Sequence, residues 1–288
     1  MKHDALIVQP GKKIRLKDFD PAYTGKYHSK EEALEKLETD IARLSEYQNV
    51  LYAQNSYALL IIFQALDAAG KDSTIKHVMA GVNPQGTEVH SFKSPSAEEL
   101  DHDYLWRHHK AVPERGRIGI FNRSHYEEVV AVRVHQEFLN AERLPRRTVK
   151  KNIWKERFDQ INDFERYLVR NGVEVLKFFL NVSREEQRKR FLERLNTPEK
   201  NWKFSLSDLN ERAYWNDYQK AFEAIFNHTS TKWAPWYIIP ADHKWFTRVA
   251  VADIIVSKLK SLNLKYPTVD KDHQQELERA REILEGEA

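Results

Sequence analysis

Between residues 63 and 74 the chain reads Phe-Gln-Ala-Leu-Asp-Ala-Ala-Gly-Lys-Asp-Ser-Thr. Residues Ala68, Ala69, Gly70, Lys71 and Asp72 offer successive backbone N–H groups that can wrap an anion. Lys71 directly follows Gly70 and is long enough to reach terminal phosphates. Ser73 or Thr74 opens a helix, whose N-terminus favours negative charge. The chemistry these residues suit is phosphate binding. The strict pattern G-x-x-x-x-G-K-S/T is not met, because Ala65 stands at the first glycine and Asp72 follows the lysine. The setting supports the reading instead: an apolar strand runs in, small residues turn, and a helix runs out. Asp67 inside the loop would repel bound phosphates unless a divalent cation lay between them. It is therefore expected to hold Mg²⁺ or to orient the acceptor group.

A second group follows the apolar run over 116–121: Asn122-Arg123-Ser124-His125-Tyr126-Glu127-Glu128. Phosphate-loop enzymes often end this strand in a metal-linked Asp. Asn122 is neutral, so any metal contact from it is expected to be weaker or water-mediated. Arg123 falls at the carboxyl end of a parallel strand, where such sheets bind ligands, and can neutralise a transferring phosphoryl group. Glu127 is a candidate for the metal or acceptor site, whereas Glu128 fits better as a first-turn acid favoured by the helix dipole. His108, His109, His125 and His135 show no zinc-binding spacing.

Cations gather twice more. Residues 107–133 carry six Lys/Arg against three acids, and 184–203 carry seven against four. On a helix, positions 187, 190, 191 and 194 share a face, which presents Arg190 and Arg194 together. An Arg-bearing helix followed by a loop is what a phosphate-closing lid needs. Two such clusters point to a substrate more negative than one nucleotide.

These groups need elements to position them. Ser29 and Glu32 form a capping box, and Leu34, Leu37, Ile41, Leu44, Tyr47 and Leu51 recur at helical spacing, predicting a helix over about 30–54. Short apolar runs at 57–64, 116–121, 173–181 and 236–240 predict four buried parallel strands. Helices are expected at 73–80, along 126–171 with a break near Leu144-Pro145, at 183–195, 209–227 and 246–261, and in a charged tail from Asp270; 196–208 is expected to be a loop. Alternating strands and helices predict an α/β fold, a parallel sheet covered on both faces. The expected organisation is an N-terminal arm and helix over 1–54, a phosphate-loop α/β domain over 55–265 with a lid at about 183–215, and a charged helix over 266–288.

Composition limits the alternatives. The 288 residues include 41% apolar and 11% aromatic residues, enough for a packed core, and a net charge of only +3. That charge does not imply a nucleic-acid partner. The absence of cysteine excludes disulfides, thiolate metal sites and a Cys nucleophile. The longest apolar run, 57–63, falls far short of the roughly 20 residues that span a bilayer, and the N-terminus lacks a signal-peptide core. A cytoplasmic protein without a membrane partner is expected.

The segments FQALDAAGKDSTIKHVMAGVNPQG (63–86), DYLWR (103–107), GRIGIFNRSHYEEVVAVRVH (116–135) and NVSREEQRKRFLERLNTPEKNWKFSLSDLNERAYW (181–215) resemble, in order, the motifs of the family-2 polyphosphate kinases. The resemblance covers roughly 20–265. It implies a thymidylate-kinase-like P-loop fold and reversible, Mg²⁺-dependent phosphoryl transfer, with Mn²⁺ as an alternative, between inorganic polyphosphate and adenine or guanine nucleotides. It implies that Asp67 and Lys71 meet the reacting phosphates, and that relatives with D-R-S differ here at Asn122. The N-R-S-H-Y-E form resembles the subgroup that phosphorylates both mono- and diphosphates, with Glu127 or Glu128 helping to hold an extra metal or the shorter acceptor. Polyphosphate would lie along a channel drawing on Lys76, Lys93, Arg117, Arg133 and Lys203, and the chain would form a homo-dimer or tetramer. An ATP-using nucleoside monophosphate kinase on the same fold, and a non-catalytic polyanion-binding module, are the competing expectations.

Overall fold

The computed structural model describes residues 3–287, the Lys203 side chain excepted. A single sheet of five parallel strands has the order β2-β3-β1-β4-β5. The strands are β1 (Ala58–Gln64), β2 (Thr87–Ser91), β3 (Ile118–Asn122), β4 (Val173–Asn181) and β5 (Trp236–Pro240). The helices are α1 (Lys30–Gln54), α2 (Lys71–Val78), α3 (Ala97–Asp101), α4 (Trp106–Lys110), α5 (Ala131–Val134), α6 (Glu137–Ala141), α7 (Ile153–Arg170), α8 (Arg184–Leu195), α9 (Leu206–Ala213), α10 (Trp215–Thr229), α11 (Lys244–Ser261) and α12 (Lys271–Gly286).

β1 is buried along its whole length, as a central strand covered on both faces must be. Its side chains alternate between two cores. Leu59, Ile61 and Phe63 pack with residues of α1, α2 and α11; Ala58, Leu60 and Ile62 pack with residues of α7 and α10. Both faces are thus filled, giving a three-layer α/β architecture. The free edge of β5 is closed by the N-terminal arm: Val8 N donates to Trp236 O at 2.8 Å and Ile238 N donates to Leu6 O at 2.8 Å. Covering an edge in this way satisfies its ladder groups.

Four strands were expected and there are five. β2 has only five residues and lies half-exposed at the edge, so Thr-Glu-Val-His-Ser carries no apolar run to mark it. The stretch 126–171 is not a long interrupted helix: His125–Val129 is a 3-10 turn, α5 and α6 are short, and α7 alone is long. Residues 196–208 are not all loop, since Pro198–Lys203 forms a 3-10 turn and α9 starts at Leu206. Two short helices, α3 and α4, interrupt 97–110. Capping at Ser29 and Ser183 follows expectation, each hydroxyl accepting from the N–H three residues on.

Because all strands are parallel, their carboxyl ends share one side. The order places β3 and β4 either side of β1, so the segments after β1 and β3 meet at the carboxyl end, where open α/β sheets bind ligands. Among the described residues no helix is long and apolar enough to cross a membrane.

Candidate active site

The segment from Ala65 to Gly70 turns the chain from β1 into α2. Gly70 has φ 107° and Ala68 has φ 60°. The left-handed region costs a residue with a Cβ about 1–2 kcal/mol, so something must hold Ala68 there. α8 does so. Gln187 Nε2 donates to Asp67 O at 2.9 Å, and Arg190 Nη1 donates to Ala68 O at 3.1 Å and Ala69 O at 2.8 Å. Three consecutive carbonyls are thereby turned toward α8. In a planar trans peptide the C=O of one residue and the N–H of the next point opposite ways, so the N–H groups of Ala68, Ala69 and Gly70 face away from α8. Ala69 N bonds weakly to Leu66 O at 3.3 Å, while Ala68 and Gly70 N–H have no acceptor among the described residues. The concave side they line adjoins the N-terminus of α2, an anion cradle held in shape from behind.

Arg190 therefore does not serve as expected. The five N–H donors of its guanidinium are all engaged, with the remaining bonds going to Glu186 Oε1 at 2.8 Å, Ala241 O at 2.5 Å and Asp242 O at 3.2 Å. The residue is buried. It staples the loop to the segment after β5 and presents no donor to a substrate.

Lys71, the first residue of α2, donates to Ala65 O at 3.0 Å. Burial lowers its pKa, and the Arg123 charge lowers it further against the opposing pull of Asp67, Glu127 and Asp72. Across the cradle, Arg123 follows β3 with φ 64° and its N–H bonds to Phe63 O at 3.0 Å. Its guanidinium bonds Asp67 Oδ1 at 2.9 Å. Glu127, and then Asp67, outweigh burial and raise its pKa. Gln64, with its amide turned to suit its neighbours, donates to Glu127 Oε1 at 2.8 Å and accepts from Ser124. Asp67, Lys71, Arg123 and Glu127 thus share one half-open site.

Asn122 Nδ2 donates to Asp72 Oδ1 at 2.7 Å. A carboxylate at position 122 would face the Asp72 carboxylate, so the two departures from the usual motifs compensate each other. Glu128 points the other way, into a buried pair with Arg157 at 2.7 Å, in line with its reading as a structural acid.

Other residues join the site without a signal in the sequence. Arg248 on α11 donates to Ser73 Oγ at 3.1 Å. From the segment expected to be a lid, Asp208 pairs with Arg194 at 3.5 Å, and Asp67 and Arg123 both act on its carboxyl. Glu211 accepts from Tyr218 Oη and bonds His135 at 2.9 Å. Only the fold brings α9, α10 and α11 here. Gln187 had a signal, since it shares the helical face of Arg190, but its role depends on the loop backbone.

The residues expected to form a channel do not form one group. Lys76 lies exposed one turn along α2, and Lys93 lies exposed just past β2 at the carboxyl end. Arg117 precedes β3 at the opposite end of the sheet and pairs with Glu88 at 2.9 Å and Glu114 at 3.1 Å; it is removed from the site. Arg133 is half-buried over the Phe158 ring at 5.8 Å, with Nη1 lacking an acceptor among the described residues, and burial lowers its pKa. The Lys203 side chain lies outside the described residues.

Among the described residues no three His, Asp or Glu side chains converge as a metal cage. Asp67 and Glu127 flank the cradle and are the carboxylates placed to hold a divalent cation, which can bind through one or two carboxylates together with substrate oxygens and waters.

The architecture agrees with comparison to known proteins. The family model described as Polyphosphate kinase 2 matches residues 27–267. An ADP-polyphosphate phosphotransferase of Rhodopseudomonas palustris is 48% identical over 278 residues, covering 96% of each chain. An AMP/ADP-polyphosphate phosphotransferase of Meiothermus ruber is 45% identical over 261 residues, covering 90% of this chain and 94% of the relative. The crystal structure of Polyphosphate Kinase 2 from Arthrobacter aurescens superposes with a TM-score of 0.87 at 38% identity, over 96% of this chain and 95% of that one. With a phosphate cradle at the carboxyl end of this sheet and a match spanning most of its length, the chain belongs to the polyphosphate kinase 2 family.

Proposed function

We propose that this chain transfers a phosphoryl group reversibly between inorganic polyphosphate and adenine or guanine nucleotides, taking both mono- and diphosphates as acceptors. The observation that carries the reading is the cradle itself. Lys71 makes one hydrogen bond within the described residues, and Ala68 and Gly70 N–H make none, while Arg123 faces them across Asp67. The names of the Rhodopseudomonas and Meiothermus relatives, which specify ADP and AMP/ADP, support the substrates.

Phosphoryl transfer asks a protein for positioning and charge stabilisation more than covalent chemistry. The loop N–H groups and Lys71 hold the phosphates at the scissile bond. Lys71 leaves Ala65 O to reach them, and the negative charge it then meets favours its protonated form. Arg123, kept cationic by Glu127 and Asp67, stabilises charge on the transferring group. Asp67 orients the attacking oxygen of the acceptor. Bound Mg²⁺, with Mn²⁺ as an alternative, would be held by Asp67 and Glu127 and would supply neutralisation of the charge on the phosphate oxygens. Residues 183–215 act as a lid in which α8 stays on the loop while Arg194 and α9 close over the substrate. The organisation of an arm over 1–54, a kinase domain over 55–265 and a charged helix over 266–288 belongs to the same proposal, as does assembly into a homo-oligomer.

The test incubates the protein with Mg²⁺, long-chain polyphosphate and AMP, then ADP, and separates the products by chromatography. ATP from both acceptors is expected. ATP from ADP alone removes the monophosphate claim, and product only when ATP replaces polyphosphate as donor favours a nucleoside monophosphate kinase.

A further inference from the structure

The connection from α6 to α7 is the most one-sided stretch of charge in the chain. Residues 143–155 contain Arg143, Arg146, Arg147, Lys150, Lys151 and Lys155 and no acid. All six are exposed. Arg143 pairs with Asp101; the other five have no ion-pair partner among the described residues. Some exposed cations elsewhere are matched locally, as in Arg15–Asp18, Arg166–Asp163, Arg188–Glu185 and Lys220–Asp217, each three residues apart. What sets this stretch apart is six cations in thirteen residues with no acid among them.

The stretch is also built. Thr148 N and Oγ1 both donate to Pro145 O, at 2.8 and 2.7 Å, and Ile153 N donates to Lys150 O at 3.0 Å. Arg146 and Arg147 are the two central residues of that first turn and project from its tip. Ile153 is buried and anchors the far end. Arg147 and Lys150 line a shallow cavity of about 480 Å³ together with Arg157 and Gln160.

Its position relates it to the active site. α7 runs back into β4, so its first residues, and the basic turn before them, lie at the carboxyl end of the sheet. One turn of helix, about 5 Å, separates Ile153 from Arg157. Arg157 binds Glu128 at 2.7 Å, and Glu128 adjoins Glu127 of the cradle. The turn is beside the site but contributes nothing to it directly.

We infer that the turn over 143–155 is a second binding station for linear polyphosphate, engaging the part of a long chain that extends beyond the cradle. This inference rests on the proposed polyphosphate activity. A flexible polyanion with one charge at each short repeat suits an exposed cationic turn beside a shallow cavity that no aromatic side chain lines. Single-stranded nucleic acid is instead gripped where aromatic side chains stack the bases, and Trp154, the one aromatic residue in the stretch, is half-buried. Binding at the turn is electrostatic and driven by counterion release. It therefore acts on long chains and leaves short ones unaffected.

The test is the variant Arg146→Gln, Arg147→Gln, Lys150→Gln, Lys151→Gln, assayed with long-chain polyphosphate and with the shortest polyphosphate that the unaltered enzyme uses. KM for the long chain should rise about tenfold, while kcat, KM for the nucleotide and KM for the short chain hold. Direct binding of long polyphosphate should lose salt sensitivity, by up to about 0.7 in log–log slope per charge removed if it behaves as single strands do. An unchanged long-chain KM and slope overturn the inference. So does an equal rise for both chain lengths, which would make the turn part of the cradle. Oligodeoxynucleotide competing as well as polyphosphate of equal charge, and losing that ability in the variant, would make it a nucleic-acid surface. If the unaltered enzyme transfers nothing from polyphosphate, the functional proposal fails, and the binding measurement still decides whether the turn holds the polyanion.

Discussion

Two lysines in this fold have the same chemistry and opposite uses. Burial lowers the pKa of both Lys71 and Lys177. Lys177, on β4, is fully buried, and its three donors meet Tyr126 Oη at 2.9 Å, Glu165 Oε2 at 2.6 Å and Thr229 O at 2.8 Å. Lys71 is half-buried and has one protein acceptor, Ala65 O. Burial alone would raise the Glu165 carboxyl, but Lys177 and His125 hold it below its ordinary value. The interior cluster is closed, whereas the cluster at the carboxyl end still has donors to give. What sets Lys71 apart is the number of donors the fold leaves unused, and the perturbation of its pKa does not distinguish it.

The comparison breaks most visibly at Lys177. Lys177→Met leaves Glu165 in the core without its ammonium partner, with the Tyr126 hydroxyl and His125 as its remaining polar neighbours, and losing one partner of a buried pair costs about 3–5 kcal/mol. Urea unfolding should show that loss, and Glu165→Leu added to it should recover much of the stability. A variant as stable as the parent would mean the pair is not closed. Lys71→Ala should do the reverse, lowering kcat with polyphosphate by about 10²–10³-fold with an unfolding midpoint close to the parent's. Near-normal turnover would remove Lys71 from the chemistry.

Arg190 sharpens the contrast, because it stands at the active end yet is engaged as completely as Lys177. Arg190→Lys keeps the charge but cannot reach four carbonyls in a planar fork. Polyphosphate KM should rise about tenfold, and hydrogen exchange at Ala68 to Gly70 should quicken. A charge contact with substrate would instead be rescued by lysine, with exchange unchanged. The smallest effect concerns Glu142, which shares Arg157 with Glu128. Burial, then the Glu128 charge, pushes its carboxyl from 4.5 up to about 8. The folded state holds that proton more tightly than the unfolded chain does. This group's contribution to stability is therefore present below 4.5 and lost as pH rises toward 8, with a limiting slope of about 1.4 kcal/mol per pH unit. Glu142→Gln should flatten the melting temperature across that window, and an unaltered pH profile would show that Glu142 is already ionised.

Much of this was legible beforehand. The central strands declared themselves because a strand covered on both faces is apolar throughout, and helices α1 and α8 declared their starts because a serine cap is local. That Lys71, Asp67 and Arg123 lie together could be anticipated because the first two belong to one contiguous loop and Arg123 ends a visible strand. β2 was missed because an exposed edge strand needs no apolar pattern. Arg117 was misplaced because proximity in sequence to Arg123 says nothing about which end of β3 a side chain occupies. Arg190 was read as a substrate ligand because a helical face shows which residues act together and not what they meet.

Sequence alone thus determined the class of the fold, the phosphate loop and the charges around it, since these follow from short-range periodicity and from contiguous residue types. Tertiary structure decided which donors were already used. Arg190 lost its donors to Glu186 and to carbonyls 51 to 122 residues away, Lys177 lost its own to α7, α10 and Tyr126, and Arg248 came to Ser73 from α11, packed beside α2 on the same face of the sheet. Hydrogen-bond capacity is spent through space, and only packing brings the acceptors within reach.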